Sequence, residues 1–177
     1  MTQAAPIISE FKPLAADLQR EAFSCGDDGI DKWFRKKALD HHQNLKCRVN
    51  TAFSNDGVLL GFYAFCITVE DERLLDRNSN LKKYAILRCY PTLQIHYLGV
   101  QKEYQEKGLG TIIMGRIIDV FREAASTLGV PVMTLVALND RVAKLYSKMG
   151  FVPYGEKVSR RMLLPAQAAL DLPSILF

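Results

Sequence analysis

The chain has 177 residues, of which 49% are hydrophobic and 24% charged, and its 23 Lys and Arg against 19 Asp and Glu give a net charge of +4. This length and composition are typical of one globular domain over residues 1–177, and they exclude a disordered chain, a collagen and a continuous coiled coil. The small positive net charge permits an anionic partner without requiring one. No stretch approaches the roughly 18 apolar residues of a membrane span and no basic-then-apolar leader opens the chain, so we expect a cytoplasmic protein with no membrane partner.

The first part of the chain predicts a loose start followed by two helices. Residues up to Ile8 show no regular pattern, and a short helix is predicted over Pro13–Phe23. Apolar residues then recur at helical spacing between Ile30 and Ala38, with basic residues on the other sides of the helix. We therefore expect an amphipathic helix with a basic flank.

Two strands, Arg48–Phe53 and Val58–Val69, are predicted next. They are joined by Asn55-Asp56-Gly57, a strong hairpin signal because Asn and Gly tolerate a positive φ. The second strand is apolar on both faces, as expected of a central strand. The polar segment Glu70–Pro91 gives no assignment.

The second half of the chain alternates strands with helices, which predicts a mixed sheet of the α/β class covered by helices. Gly99 lies inside the first of these strands and indicates a bulge or a close approach of the backbone. The elements predicted, in order, are a strand Leu93–Val100, a helix Gly110–Leu128, a strand Val132–Leu138, a helix from Asn139 to Met149, a strand from Phe151 and a strand Val158–Leu164.

The cysteines and histidines predict no metal site. The cysteines contain no C-x-x-C pair and are expected to be reduced, and two of the histidines are adjacent, which would point them about 100° apart on a helix. The residues concerned are Cys25, Cys47, Cys66, Cys89, His41, His42 and His96.

A glycine-containing turn, Gln105–Gly110, lies between a predicted strand and a predicted helix. Glycines let the backbone approach a ligand closely, and a helix start carries partial positive charge, so the turn suits a phosphate or a pyrophosphate. Thr111-Ile112-Ile113 supplies neither the Gly-Lys-Ser/Thr of a nucleotide P-loop nor the third glycine of the dinucleotide fingerprint. Two glycines can also merely shape a turn, which is the alternative interpretation.

The turn resembles the acetyl-CoA signature Q/R-x-x-G-x-G/A of the GNAT superfamily of N-acetyltransferases. A later segment, Asn139–Phe151, resembles the second marker of this superfamily, a helix with Asn, an A-x-x-x-Y-like run and a terminal Gly-Phe. The resemblance implies the GNAT fold of the α/β (α+β) class, a central mixed, mostly antiparallel twisted sheet of six to seven strands with helices on both faces. It also implies acetyl-CoA as co-substrate, bound by a core at about residues 93–155, and no metal.

The same resemblance implies a cofactor site and one catalytic residue. The Val100 amide is expected to polarise the thioester carbonyl, Gln105 to brace the turn, and the amides of residues 107–111 to hold the pyrophosphate. Tyr146 is the candidate acid, since a phenol with a pKa of about 10 is protonated at neutral pH and can donate to a thiolate. An aromatic residue on the apolar stripe of a helix is more often part of the core, which is the alternative for Tyr146. The implied cofactor-binding residues are Leu98, Gly99, Val100, Gln105, Glu106, Lys107, Gly108, Leu109, Gly110, Thr111, Asn139, Ala143 and Lys148.

A narrower resemblance lies near the start of the chain. Phe23–Phe34 is similar to the F-x-C-G-x-x-x-L-D-x-[FW]-L opening of the GNAT toxins of type II toxin–antitoxin systems, and Gly61–Ala64 to their G-[YF]-Y-[AS] strand. The strand end Tyr97–Gln101 departs from their Arg-Leu-[AG]-Val-Asp pattern. The resemblance implies acetylation of the α-amino group of aminoacyl-tRNA, inhibition of translation, a ribbon-helix-helix antitoxin and a homodimer.

The sequence shows no clear general base, and this bears on the kind of amine that accepts the acetyl group. Glu70, Asp71, Glu72 and Glu103 are the acids that could serve as a general base, and each equally fits a solvated surface. A site without a strong base suits an α-amine, whose pKa is about 7.7–8.0, better than a lysine side chain with a pKa of about 10.4.

Basic residues supply candidates for phosphate contacts with tRNA, although they also fit solvated faces. We select Lys32, Lys36, Arg77 and Arg88 as substrate-binding residues. Two alternative functions stay open, an acetyltransferase of a small-molecule or protein amine with no toxin role, and a non-catalytic module that binds CoA or a partner. The full set of basic candidates is Lys32, Arg35, Lys36, Arg48, Arg77, Lys82, Lys83, Arg88, Arg160 and Arg161.

Overall fold

The computed structural model describes residues 6–74, 82 and 88–173. Its strands are β1 (Ile8–Pro13), β2 (Arg48–Ser54), β3 (Leu59–Asp71), β4 (Cys89–Val100), β5 (Val132–Val136), β6 (Val152–Pro153) and β7 (Arg161–Pro165). Its helices are α1 (Asp28–Lys36), α2 (Ala38–Gln43), α3 (Leu109–Leu128), α4 (Asp140–Lys148) and α5 (Ala166–Asp171).

The strands form a seven-stranded mixed sheet in the order β1-β2-β3-β4-β5-β7-β6. β4 and β5 are parallel, whereas the pairs β1–β2, β2–β3, β5–β7 and β6–β7 are antiparallel. β3 and β4 are antiparallel as well, because the Gln101 amide donates to the Leu60 carbonyl and the Glu72 amide to the Arg88 carbonyl. The predicted mixed, mostly antiparallel sheet is confirmed.

The chain divides into two compact units, Met1–Cys66 with His96–Ile117, and Ile67–Ile95 with Ile118–Phe177. β3, β4 and α3 each run through both units. The single domain over residues 1–177 stays a prediction.

In the first unit, adjacent residues of β3 contact helices on opposite faces of the sheet. The Phe62 ring stacks on the Phe34 ring of α1 with their centroids 3.9 Å apart, and a Cβ added at Gly61 would lie 2.9 Å from the Ile113 side chain of α3. Because side chains alternate along a strand, the sheet is covered on both faces here. The core around Phe62 includes Phe23 and Trp33.

The second unit has its own buried cluster. Tyr90, Val132, Tyr154 and Leu163 pack together from strands β4, β5 and β7 and from the segment after β6. No helix of the described residues is long and apolar enough to cross a bilayer.

The helix predicted over Pro13–Phe23 is wrong. Pro13 ends β1, and the Leu14 amide continues the pairing by donating to the Val49 carbonyl. Leu14 and Phe23 are both buried in the core, so their segment is held by packing and makes only isolated turns. The loose start was predicted to extend to Ile8, and the strand that begins there was missed.

The other predicted elements are confirmed with shifted ends. The hairpin turn is present, since Gly57 has a φ of 75° and the Ser54 amide bonds the Val58 carbonyl. The strand predicted over Val158–Leu164 begins only at Arg161, because Arg160 adopts a left-handed φ of 46° that breaks the extended backbone.

Replacing Gly61 by alanine is expected to lower the free energy of unfolding by about 2 kcal/mol, as overpacking does in a dense core. The new Cβ would lie 2.7 Å from the Gly99 carbonyl oxygen, which belongs to the neighbouring strand and cannot move aside alone. Urea denaturation monitored by circular dichroism measures the loss. Gly57→Ala is the control, because Gly57 has nothing within 4 Å and only its φ is strained. A loss below about 0.5 kcal/mol for Gly61→Ala would contradict the close packing of these strands.

Candidate active site

The turn from Gln105 to Leu109 leads into α3 with two residues in the left-handed region. Glu106 has a φ of 61° and Gly108 a φ of 84°. A Cβ added at Gly108 would meet no atom within 4 Å, and at Gly110 it would meet only the Val100 side chain, at 3.9 Å. Both glycines therefore leave open space beside the backbone at the start of α3.

The amides of this turn are available to a ligand. Among the described residues, no acceptor receives a hydrogen bond from the amides of residues 107–110. The first amides of a helix lack partners within the helix and carry its partial positive charge, so these four donors can hold an anion such as a diphosphate. The Thr111 amide, expected among the donors, is instead bonded to the Gly108 carbonyl at 3.0 Å, as is Ile112 at 3.2 Å.

Gln105 joins the turn to two other parts of the first unit. Its side-chain amide donates to the Val100 carbonyl at 3.0 Å and to the Cys25 carbonyl at 2.7 Å. The conformation of the turn is therefore coupled to the end of β4 and to the segment before α1.

The end of β4 is tightly packed. A Cβ at Gly99 would lie 2.7 Å from the Phe62 ring and 3.3 Å from the Phe23 ring, so only glycine fits and the predicted close approach is confirmed. Val100 is buried and Leu98 half-buried.

Helix α4 belongs to the second unit and carries the other predicted site residues. Asn139 caps the helix, since its side-chain oxygen accepts from the Val142 amide at 3.0 Å. Ala143 is half-buried in the first turn, and Lys148 is exposed in the last. Tyr146 is buried, with its ring centroid 5.7 Å from that of Phe151.

The Tyr146 phenol keeps its proton at neutral pH. Burial raises its pKa to about 12, so it is protonated at neutral pH. No group among the described residues accepts a hydrogen bond from its hydroxyl. The ring is thus packed as a core residue would be, while the hydroxyl keeps its donor for another molecule.

Two of the acids considered as bases are paired with arginines. Glu70 is buried with its carboxylate 3.0 Å from the Arg161 guanidinium, and hydrogen bonds from Arg73 lower the pKa of Asp71 to about 2. The lowered pKa makes Asp71 a weak base, which disfavours it as the general base, and the Glu70 carboxylate is engaged by Arg161.

The basic residues considered for tRNA binding differ in their exposure and in their partners. Lys32 and Lys36 are exposed one turn apart on α1 and form no salt bridge with a described residue, and Arg88 is exposed with a φ of 64°. Arg77 and Lys83 lie outside the described residues. The Arg35 guanidinium is half-buried and donates to the Phe23 carbonyl, so it is partly engaged within the fold.

Two residues that the sequence did not predict for the site lie beside the turn. The Gln101 side chain accepts from the Ser24 amide at 3.0 Å, and the Asp31 carboxylate accepts from the Cys25 amide at 2.7 Å. The toxin-like pattern around Phe23–Phe34 includes Asp31 and could have indicated that this residue matters. The pattern does not predict which groups the carboxylate contacts. Among the described residues, no group of three His, Cys, Asp or Glu side chains could hold a metal ion.

Solved structures share this fold. AtaT in complex with acetyl-methionyl-tRNAfMet superposes with a TM-score of 0.80 at 20% identity, over 90% of this chain and 95% of that one. A second AtaT structure is a tyrosine-to-phenylalanine variant bound to acetyl-CoA and to the C-terminus of the antitoxin AtaR. It superposes with a TM-score of 0.73 at 18% identity, over 90% of this chain and 94% of that one. At these identities the similarity establishes the fold alone.

Curated relatives and a family profile complete the comparison. The chain is 26% identical over 132 residues to a tRNA-acetylating toxin of Mycobacterium tuberculosis, covering 73% of this chain and 76% of that one. It is 28% identical to the probable toxin TacT of Sinorhizobium fredii, over 92% of each chain. The profile of the Acetyltransferase (GNAT) family matches residues 12–151, which include β4, the turn, α3 and α4. The chain therefore belongs to the GNAT family of acetyltransferases.

Proposed function

We propose that this protein transfers the acetyl group of acetyl-CoA to the α-amino group of an aminoacyl-tRNA and so inhibits translation as a toxin. The observation that carries the proposal is the set of unpaired amides at residues 107–110, at the start of α3 in a GNAT family member. The relatives described as a tRNA-acetylating toxin and a probable toxin, and the AtaT complex with acetyl-methionyl-tRNAfMet, support aminoacyl-tRNA as the acceptor.

Acetyl-CoA would be held mainly through its diphosphate. The amides of residues 107–110 and the dipole of α3 would bind the phosphate oxygens, and Gln105 would keep the turn in shape. The backbone of residues 98–100 would line the thioester, with the Val100 amide polarising its carbonyl. Asn139, Ala143 and Lys148 are kept as proposed cofactor contacts on α4.

The chemical step joins the amine nitrogen to the thioester carbonyl carbon and then breaks the carbon–sulfur bond. In our proposal Tyr146 gives its proton to the departing thiolate, the amine releases a proton to solvent, and solvent returns a proton to the Tyr146 phenolate. In our proposal no carboxylate takes the amine proton, in line with the arginine partners of Glu70 and Asp71, and the acceptor would therefore arrive partly neutral. An α-amine with a pKa of about 7.7–8.0 meets this condition near neutral pH.

The tRNA would be positioned by phosphate contacts rather than by its sequence. Lys32 and Lys36 are exposed without an ion-pair partner in the described chain, which supports this role, and Arg77 and Arg88 stay proposals. The reaction would take place in the cytoplasm, where charged tRNA is found. An antitoxin, in line with the AtaR bound in the AtaT structure, and a homodimer are proposed as partners.

The proposal is tested by incubating the purified protein with radiolabelled acetyl-CoA and total charged tRNA. We expect label in the tRNA fraction, and none when the tRNA is deacylated beforehand. Transfer should fall steeply as salt rises, because phosphate contacts release counterions. Labelling of polyamines or proteins but not of charged tRNA would overturn the acceptor, and binding of acetyl-CoA without any transfer would indicate a non-catalytic module.

A further inference from the structure

A buried carboxylate of α1 bonds to residues that lie outside its own helix. Asp31 is only 4% exposed, and its two oxygens accept from the Ser24 hydroxyl and the Cys25 amide, each at 2.7 Å. The cap of α1 is provided separately by Asp27, whose side chain accepts from the Ile30 amide at 2.9 Å. The Asp31 carboxylate is therefore not needed to begin the helix, and it fixes Ser24 and Cys25 instead.

Those two residues are in turn bonded to the segment that connects β4 to α3. The Ser24 amide donates to the Gln101 side chain at 3.0 Å, and the Ser24 carbonyl accepts from the Lys102 amide at 2.8 Å. The Cys25 carbonyl accepts from the Gln105 side chain at 2.7 Å. Three hydrogen bonds thus run from Ser24 and Cys25 to residues 101–105, all within the first unit.

We propose that Asp31 is a positioning residue for acetyl-CoA, acting through Ser24 and Cys25 on the turn that begins at Gln105. The inference rests on the proposed function for the identity of the ligand. A buried carboxylate that accepts two short hydrogen bonds holds its partners more firmly than a neutral group does. Its charge is offset by Arg35, whose guanidinium lies 3.6 Å away and also holds the Phe23 carbonyl just before Ser24. Asp31 therefore keeps the amides of residues 107–110 in the arrangement that receives the diphosphate.

The test compares Asp31→Asn with Asp28→Asn, an exposed residue of the same helix. For Asp31→Asn we expect the Kd and KM for acetyl-CoA to rise about tenfold, while kcat and the KM for aminoacyl-tRNA stay within about twofold. Hydrogen exchange of the Lys102 and Gln105 amides, which donate to the Ser24 and Lys102 carbonyls, should become faster in the absence of acetyl-CoA. Asp28→Asn should change none of these quantities. Unchanged acetyl-CoA binding and exchange in a folded Asp31→Asn protein would overturn the inference.

A second variant provides a test if Asp31→Asn fails to fold. A double-mutant cycle tests whether Asp31 acts on acetyl-CoA through the turn that begins at Gln105. Ser24→Ala removes one of the hydrogen bonds and keeps the carboxylate, so we expect a smaller rise in the acetyl-CoA Kd. In a Gln105→Ala background, Asp31→Asn should have a smaller effect on that Kd than in the wild type, because both act on the same turn. If the effects of the two substitutions on the acetyl-CoA Kd are additive, Asp31 does not act through Gln105. If the wild type itself binds no acetyl-CoA, the proposed function fails, and the exchange measurement still tests the coupling of Asp31 to the turn.

Discussion

Replacing Tyr146 by phenylalanine is expected to lower kcat by about 10²–10³-fold, the range of general acid catalysis, and to leave the Kd for acetyl-CoA within about twofold. The phenol would be the donor to the departing thiolate, and phenylalanine cannot donate. Because burial raises the pKa of Tyr146 to about 12, the wild-type phenol is protonated throughout the neutral range. Ionisation of Tyr146 should therefore produce no loss of kcat until the pH approaches that value.

The fold should tolerate this substitution. The ring keeps its contact with Phe151, and no described group loses a hydrogen-bond donor when the hydroxyl is removed. We expect the melting temperature to stay the same or to rise slightly. Steady-state kinetics, calorimetry with acetyl-CoA and a thermal melt measure the three quantities.

Tyr154→Phe is the matched control. Tyr154 is also buried and burial raises its pKa to about 12, but its hydroxyl is close enough to the charged Glu70 and Arg161 side chains for both to act on that pKa. Its removal should cost about 1 kcal/mol of stability and leave kcat within a few-fold of the wild-type value. If Tyr146→Phe behaves in the same way, Tyr146 is a core residue and the acid has to be sought elsewhere.

The fold was predictable where the pattern is long and its ends are marked. Helix α3 was predicted over Gly110–Leu128 and is observed at Leu109–Leu128, because apolar residues recur at helical spacing and Gly129 stops it with a φ of 72°. Strand β1 was missed because it lies at the edge of the sheet and only Ile8 of its six residues is fully buried. An edge strand with so little apolar pattern gives no signal of period two.

The candidate site also has a part that the sequence predicted and a part that it did not. The turn Gln105–Gly110 and the capped helix α4 are local motifs, so the sequence predicted both. Asp31 and Gln101 depend on contacts between distant segments, since Ser24 and Gln101 are separated by 77 positions. No local pattern states that a carboxylate in α1 supports a turn beyond β4. Only the folded chain brings these groups together.

Replacing Gly110 by valine is expected to weaken acetyl-CoA binding by about 10²-fold, because a steric clash that costs about 2.8 kcal/mol raises the Kd by that factor. Gly110 opens the first turn of α3, and the space beside it would be filled by two methyl groups where the diphosphate has to approach. Valine is a better helix former than glycine by a few tenths of a kcal/mol, so the melting temperature should not fall.

The control is Gly110→Ala, whose Cβ would make only an ordinary contact with Val100 at 3.9 Å. The GNAT signature accepts alanine at this position, and we expect acetyl-CoA binding within about threefold of the wild type, together with about 1 kcal/mol of added helix stability. A graded loss from alanine to valine at constant folding identifies a steric block at the ligand rather than damage to the protein. Equal acetyl-CoA affinity for all three proteins would show that the diphosphate binds away from α3, and the role assigned to the amides of residues 107–110 would then be wrong.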